Sequence, residues 1–159
     1  ANITSRMEGW YANGTQIVFA SGGGIYTSAA EAAAKVGGKL IGVDVDQSAN
    51  IDTYGEGMCV TSAMKGLAET VKHMLSEVLA GNFANYGGKI ETLGLVSGDD
   101  PTANYVQLPM ETTQWGDGFT QDDYKALVKA MFDGEVTVSN DTSAMPETTI
   151  TVNFAGNIK

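Results

Sequence analysis

The sequence predicts an α/β fold, a three-layer α/β/α sandwich around a mostly parallel sheet. Short apolar runs alternate along the chain with longer segments patterned at helical spacing, the order expected of βαβ units. Glycines punctuate the junctions, at Gly22-Gly23-Gly24 and Gly37-Gly38. The run Leu40-Ile41-Gly42-Val43 is apolar without alternation and ends in Asp44, Asp46 and Gln47. A continuous apolar run marks a buried parallel strand. Polar groups at its end lie at the carboxyl edge of the sheet, where open α/β sheets bind ligands.

Each element has a local reason. Ile3, Met7, Trp10 and Tyr11 recur at helical spacing and Asn13-Gly14 stops that helix. Gln16–Ala20 is a short apolar strand running into Ser21 and the glycine loop. Ser28 and Glu31 form a capping-box pattern ahead of an alanine-rich helix that reaches Val36. The strand Leu40–Val43 completes a βαβ unit. Met58-Cys59-Val60 reads as a third strand, Thr61 and Ser62 as an N-cap, and Met64, Leu67, Val71, Met74, Leu75, Val78 and Leu79 as one apolar helical stripe ending at Gly81. Leu93–Val96 and Tyr105–Leu108 read as two further strands parted by the turn Ser97–Pro101. Thr120 caps a last helix with Asp122 and Asp123 in its first turn, where the helix dipole favours negative charge. Its core face is Tyr124, Leu127, Val128, Met131 and Phe132. Ile150, Val152 and Phe154 alternate with polar residues, the pattern of a strand solvated on one face.

The chain has 159 residues, enough for one domain with its own core, and its 43% hydrophobic content marks a globular protein. Nine basic residues against 19 acidic ones give a formal charge of −10, which disfavours nucleic acid and anionic membrane surfaces as partners. No signal peptide or lipidation motif is evident, and the chain opens directly on a helical segment, as a domain cut from something longer would. Cys59 is the sole cysteine and packs as a small hydrophobe, without an internal disulfide or a metal-ligand partner.

Three features converge on the carboxyl edge. The glycine loop lets backbone amides approach a ligand at a helix start, or simply makes a tight βα turn. Asp44, with Asp46 and Gln47, can accept hydroxyl hydrogens from a sugar diol, or serve as solvated loop acids. Lys65 falls in the first turn of its helix, against the dipole, and so needs a negative or accepting neighbour; the alternative is an exposed pair with Glu69. Phe19 is a core residue or a stacking platform for a planar ligand. His73 reads as surface, and Trp10 and Trp115 as packing residues. Gly22 and Gly24 begin a G-x-G-x-x-G pattern, but Thr27 holds the third glycine position. No Walker phosphate loop and no nucleophile–histidine set is evident, which favours binding over catalysis, with no cofactor and no metal.

The stretches Gln16–Tyr26 (QIVFASGGGIY), Ile41–Ser48 (IGVDVDQS) and Thr61–Lys65 (TSAMK) resemble the basic membrane protein family, substrate-binding lipoproteins of ABC importers. The helix and Gly134–Val138 segment late in the chain also fit, so the resemblance spans most of Trp10 to Asn140. It implies the C-terminal lobe of a two-lobed, type I periplasmic-binding-protein fold, with residues 1–115 as the ligand-binding lobe and 116–159 as crossing segment, terminal helix and final strand. It implies a purine nucleoside as ligand, the base stacked on Phe19, the pocket lined by the glycine loop and the ribose held by Asp44 and Lys65. The full candidate set is Phe19, Gly23, Gly24, Tyr26, Asp44, Asp46 and Lys65. Tyr26 stands where the family usually shows a further glycine, and either narrows the pocket or adds a contact. The implied partners are the first lobe, a small-molecule ligand and an ABC permease. The implied location is extracytoplasmic, lipid-anchored in the full-length protein, with this fragment soluble. Two other readings use the same features: a nucleotide-dependent enzyme domain built on the Gly22–Gly24 loop and Asp44, or a ligand-sensing domain.

Overall fold

The computed structural model describes residues 2–156. In chain order its main elements are α1 (Asn2–Ala12), β1 (Ile17–Phe19), α2 (Tyr26–Ala34), β2 (Lys39–Asp44), α3 (Ser48–Ile51), β3 (Cys59–Lys65), α4 (Leu67–Leu79), β4 (Val106–Gln107) and α5 (Gln121–Phe132). The four strands form one open sheet in the order β1-β2-β3-β4. The first three are parallel and β4 closes the edge antiparallel. The fold is α/β with a mostly parallel sheet, as the sequence predicts. No described helix is long and apolar enough to cross a membrane.

The core lies on one face of this sheet. Val18 and Leu40 project from β1 and β2 onto Met7 and Tyr11 of α1, the alanines of α2, and Ile51 of α3. The alanine run of α2 lets its backbone lie close to the sheet, with Ala29, Ala30, Ala32 and Ala33 all buried. Cys59 is buried in the same cluster, and Trp10 packs against it. On the opposite face stand Phe19, Val43 and Ala63, and α5 lies across them, sharing one cavity through Tyr124, Val128 and Met131.

Several expectations need correction. The third strand runs on through Thr61 and Ser62 to Lys65, because parallel pairing with β2 extends to Met64 and the antiparallel pairing with β4 to Lys65. The hydroxyl residues therefore sit in a ladder, and Gly66 takes the N-cap position of α4. Ser28 caps nothing: a 3-10 turn, Gly23–Ile25, leads straight into α2 and already engages its first turn, and Glu31 instead accepts from Thr4 Oγ1 at 3.2 Å. Leu93–Val96 is not a strand. The buried Asn104 carboxamide oxygen accepts the amides of Val96 and Ser97 at 2.7 and 2.8 Å, so these donors are unavailable for a ladder. Thr149–Phe154 is not a strand: Thr149 and Ile150 lie in a bend, and no ladder takes the backbone of this segment among the described residues. The apolar stripe of α4 is not covered by the described residues; Leu67, Val71, Leu75, Val78 and Leu79 are all exposed.

This asymmetry has a direct check. Leu40 is fully buried whereas Leu79 is 88% exposed. In urea unfolding, Leu40→Ala lowers stability by about 2–5 kcal/mol. Leu79→Ala shifts it by no more than about 0.5 kcal/mol.

Candidate functional site

The parallel ladder decides what meets at the carboxyl edge. Its register pairs Val43 with Ala63 and Asp44 with Met64, so β2 and β3 end level with each other. Phe19 closes β1 beside them. Over these strand ends opens a cavity of about 530 Å³, within the usual range for small-molecule sites. The sheet contributes Phe19, Val43, Asp44, Ala63, Met64 and Lys65, with Ser21 and Gly22 at the start of the glycine loop. The far wall is Leu95, Val106, Gln107 and Leu108 together with Tyr124, Val128 and Met131 of α5. Most of this lining is apolar, and the charge is concentrated in one carboxylate and one ammonium.

Asp44 and Lys65 form that charged pair. Lys65 Nζ lies 2.5 Å from Asp44 Oδ1. The lysine thus finds its negative neighbour, but from the end of β3 rather than from a helix N-terminus. Its alternative partner Glu69 pairs with Lys72 instead, at 3.1 Å. Both members of the Asp44–Lys65 pair are more than a third exposed, so it contributes at most about 1 kcal/mol to stability. Asp44 Oδ1 is itself shielded from solvent and accepts no hydrogen bond of normal angle among the described residues. At so short a separation the charge contact dominates over that angle. Asp44 is also the one non-glycine residue with positive φ among those described, at 70°. A left-handed conformation costs a non-glycine residue about 1 kcal/mol or more, and such outliers cluster at ligand sites.

Phe19 is 49% exposed because its ring faces the open cavity. A phenyl ring held at a strand end beside a carboxylate and an ammonium can stack on a planar group while the charges take its polar substituents. The glycine loop is only partly as expected. Gly22 lines the cavity, whereas Gly23 and Gly24 turn away into the 3-10 segment and are not among its lining. Tyr26 begins α2 and packs against the core on the other face of the sheet. Asp46 also lies outside the lining and is engaged locally. Its carboxylate accepts the Ser48 amide at 3.0 Å and the Thr112 hydroxyl at 2.7 Å. Burial works against ionising Asp46, but the Ser48 amide and the Thr112 and Ser48 hydroxyls outweigh it and hold the carboxyl below the ordinary range. The structure thus brings Phe19, Asp44 and Lys65 together, and leaves Gly23, Gly24, Tyr26 and Asp46 aside.

The far wall was not legible as such. The period of Tyr124, Val128 and Met131 marks a buried helix face without saying what it faces. Tyr124 is anchored by its hydroxyl, which accepts the Leu108 amide at 3.0 Å, and by the Trp115 ring at a centroid distance of 5.5 Å. Burial raises the Tyr124 phenol above its ordinary pKa, the Leu108 hydrogen bond opposing it in part. Thr120 caps α5, as its sequence predicts, and Asp123 completes a capping box by accepting the Thr120 backbone amide at 2.8 Å. No group of histidines, cysteines and carboxylates placed to hold a metal occurs among the described residues. Compared with family models and with curated proteins, the chain matches none.

The depressed Asp46 carboxyl makes a signed prediction. A folded-state pKa below the unfolded value contributes stability at pH values above about 3.9, and that contribution is lost as pH falls through the folded pKa. Carbon-detected NMR titration finds Asp46 protonating below the ordinary carboxylate range. Thr112→Val removes one donor and moves that midpoint upward.

Proposed function

We propose that this chain is a solute-binding lobe that captures a purine nucleoside without making or breaking a bond. What supports this reading is that Phe19, Asp44 and Lys65, which come from three different strands, line one apolar cavity at the carboxyl edge of a parallel sheet. The base stacks on Phe19. Asp44 accepts ribose hydroxyl hydrogens, and Lys65, paired with that carboxylate, offers its own N–H groups to a hydroxyl oxygen. The apolar far wall suits a base rather than a highly charged nucleotide, and the chain's net charge of −10 repels phosphates.

The resemblance to basic membrane proteins extends this proposal. There a second lobe closes over the ligand, a lipid anchor holds the receptor at the outer face of the cell membrane, and the solute passes to an ABC permease. One lobe alone leaves much of the base in water, and a site that buries most of its ligand binds far better.

Calorimetry on this chain with inosine, adenosine and guanosine tests the proposal. The expected dissociation constants are weaker than about 1 μM. Phe19→Ala weakens binding by about tenfold or more through loss of stacking, and Asp44→Asn weakens it by removing the charged acceptor. Submicromolar binding contradicts the half-site account. Tight binding of NAD that is lost in Asp44→Ala favours the nucleotide-dependent enzyme instead.

A further inference from the structure

The strand ends that carry the site are tied together by one buried amide that does not line it. Gln47 is only 6% exposed. Its side-chain oxygen accepts the Val43 amide at 3.0 Å, and its side-chain nitrogen donates to the Gly23 carbonyl at 3.2 Å. Its own backbone amide donates to the hydroxyl of Ser62, which is fully buried, at 3.1 Å. One residue therefore reaches the end of β2, the glycine loop after β1 and the middle of β3. Gly42 makes room for it: a Cβ there would meet Ser62 Oγ at 2.6 Å and the Gln47 side chain at 2.9 Å.

We propose that Gln47 is the positioning residue of the ligand site. The chain between its two anchors, Val43 and Gln47, is the turn that holds Asp44 at positive φ. The Gly23 contact fixes the loop that begins at Ser21 and Gly22, both of which line the cavity. An amide is required because one partner is a donor and the other an acceptor. A carboxylate offers acceptors alone and would face the Gly23 carbonyl with like polarity. A protonated carboxyl group has one of each and can make both bonds. That difference supplies a test that a space-filling role would not answer to. The clamp itself is a property of the unliganded chain; only its consequence for affinity rests on the nucleoside-binding reading.

The experiment is amide hydrogen exchange on the unliganded chain, corrected for intrinsic rates, for wild type, Gln47→Glu and Gln47→Leu. In Gln47→Glu near pH 7, exchange rises about fivefold or more through the glycine loop, while Leu40 and the α2 core keep their rates. Lowering the pH to about 4 protonates the new carboxyl group and returns those amides toward the wild-type rate. Gln47→Leu shows the same loosening at both pH values. Unchanged loop exchange in both variants, or a uniform rise across the core, overturns the clamp. Inosine titration of the same samples separates the two claims. Wild-type binding that weakens about tenfold in Gln47→Glu at pH 7 supports the link from clamp to affinity. Binding unaltered by a loosened loop overturns that link. If wild type binds no nucleoside while the exchange pattern holds, the ligand assignment fails and the clamp stands.

Discussion

The parallel pairing of β2 with β3 is the constraint on which the rest of the structure depends. Side chains alternate faces along a strand, so a slip of one residue would turn every side chain over. In the observed register Leu40 lies in the core, Val43 and Ala63 face the cavity, and Gly42 stands opposite Ser62. The ladder is irregular between Leu40 and Ile41, and this bulge lets Cys59 stay in the core while Ser62 comes level with Gly42. From that alignment follow the space for the Gln47 side chain and the closeness of Asp44 to Lys65. The site is thus a consequence of strand register more than of any loop.

Much of this was legible in the residues. The apolar run ending in Asp44 located the carboxyl edge, and three of the candidate residues, Phe19, Asp44 and Lys65, meet there. Helix α5 was legible from its cap and its period. What misled was local chemistry that tertiary pairing overrides. Thr61 and Ser62 are good caps in isolation, yet the parallel pairing with β2 claims their backbone. Gly23, Gly24 and Tyr26 follow the strand end in sequence, but the 3-10 turn carries them around to the helix side. Sequence alone groups Gln47 with Asp44 and Asp46 at the strand end, whereas its carboxamide points inward to two backbone partners. No spacing rule distinguishes an amide facing solvent from one facing a buried carbonyl.

Burial patterns show a related limit. The stripe on α4 is at least as regular as the one on α5, yet α4 has no buried residue while α5 buries Tyr124 and Val128. Periodicity states that a face can be buried, and only the tertiary arrangement supplies the partner. The alternating residues Ile150, Val152 and Phe154 make the same point for strands, being exposed where no ladder is available.

The central claim is that a flat base is held over Phe19 with its sugar between Asp44 and Lys65. Intermolecular NOEs between inosine and this chain test it most directly. The account predicts contacts from the base protons to the Phe19 ring, and from the ribose protons to the β2 and β3 ends at Asp44 and Lys65. Contacts that run to Tyr26 and the α2 side of the sheet, or a saturated sample in which Phe19 shows none, would contradict it.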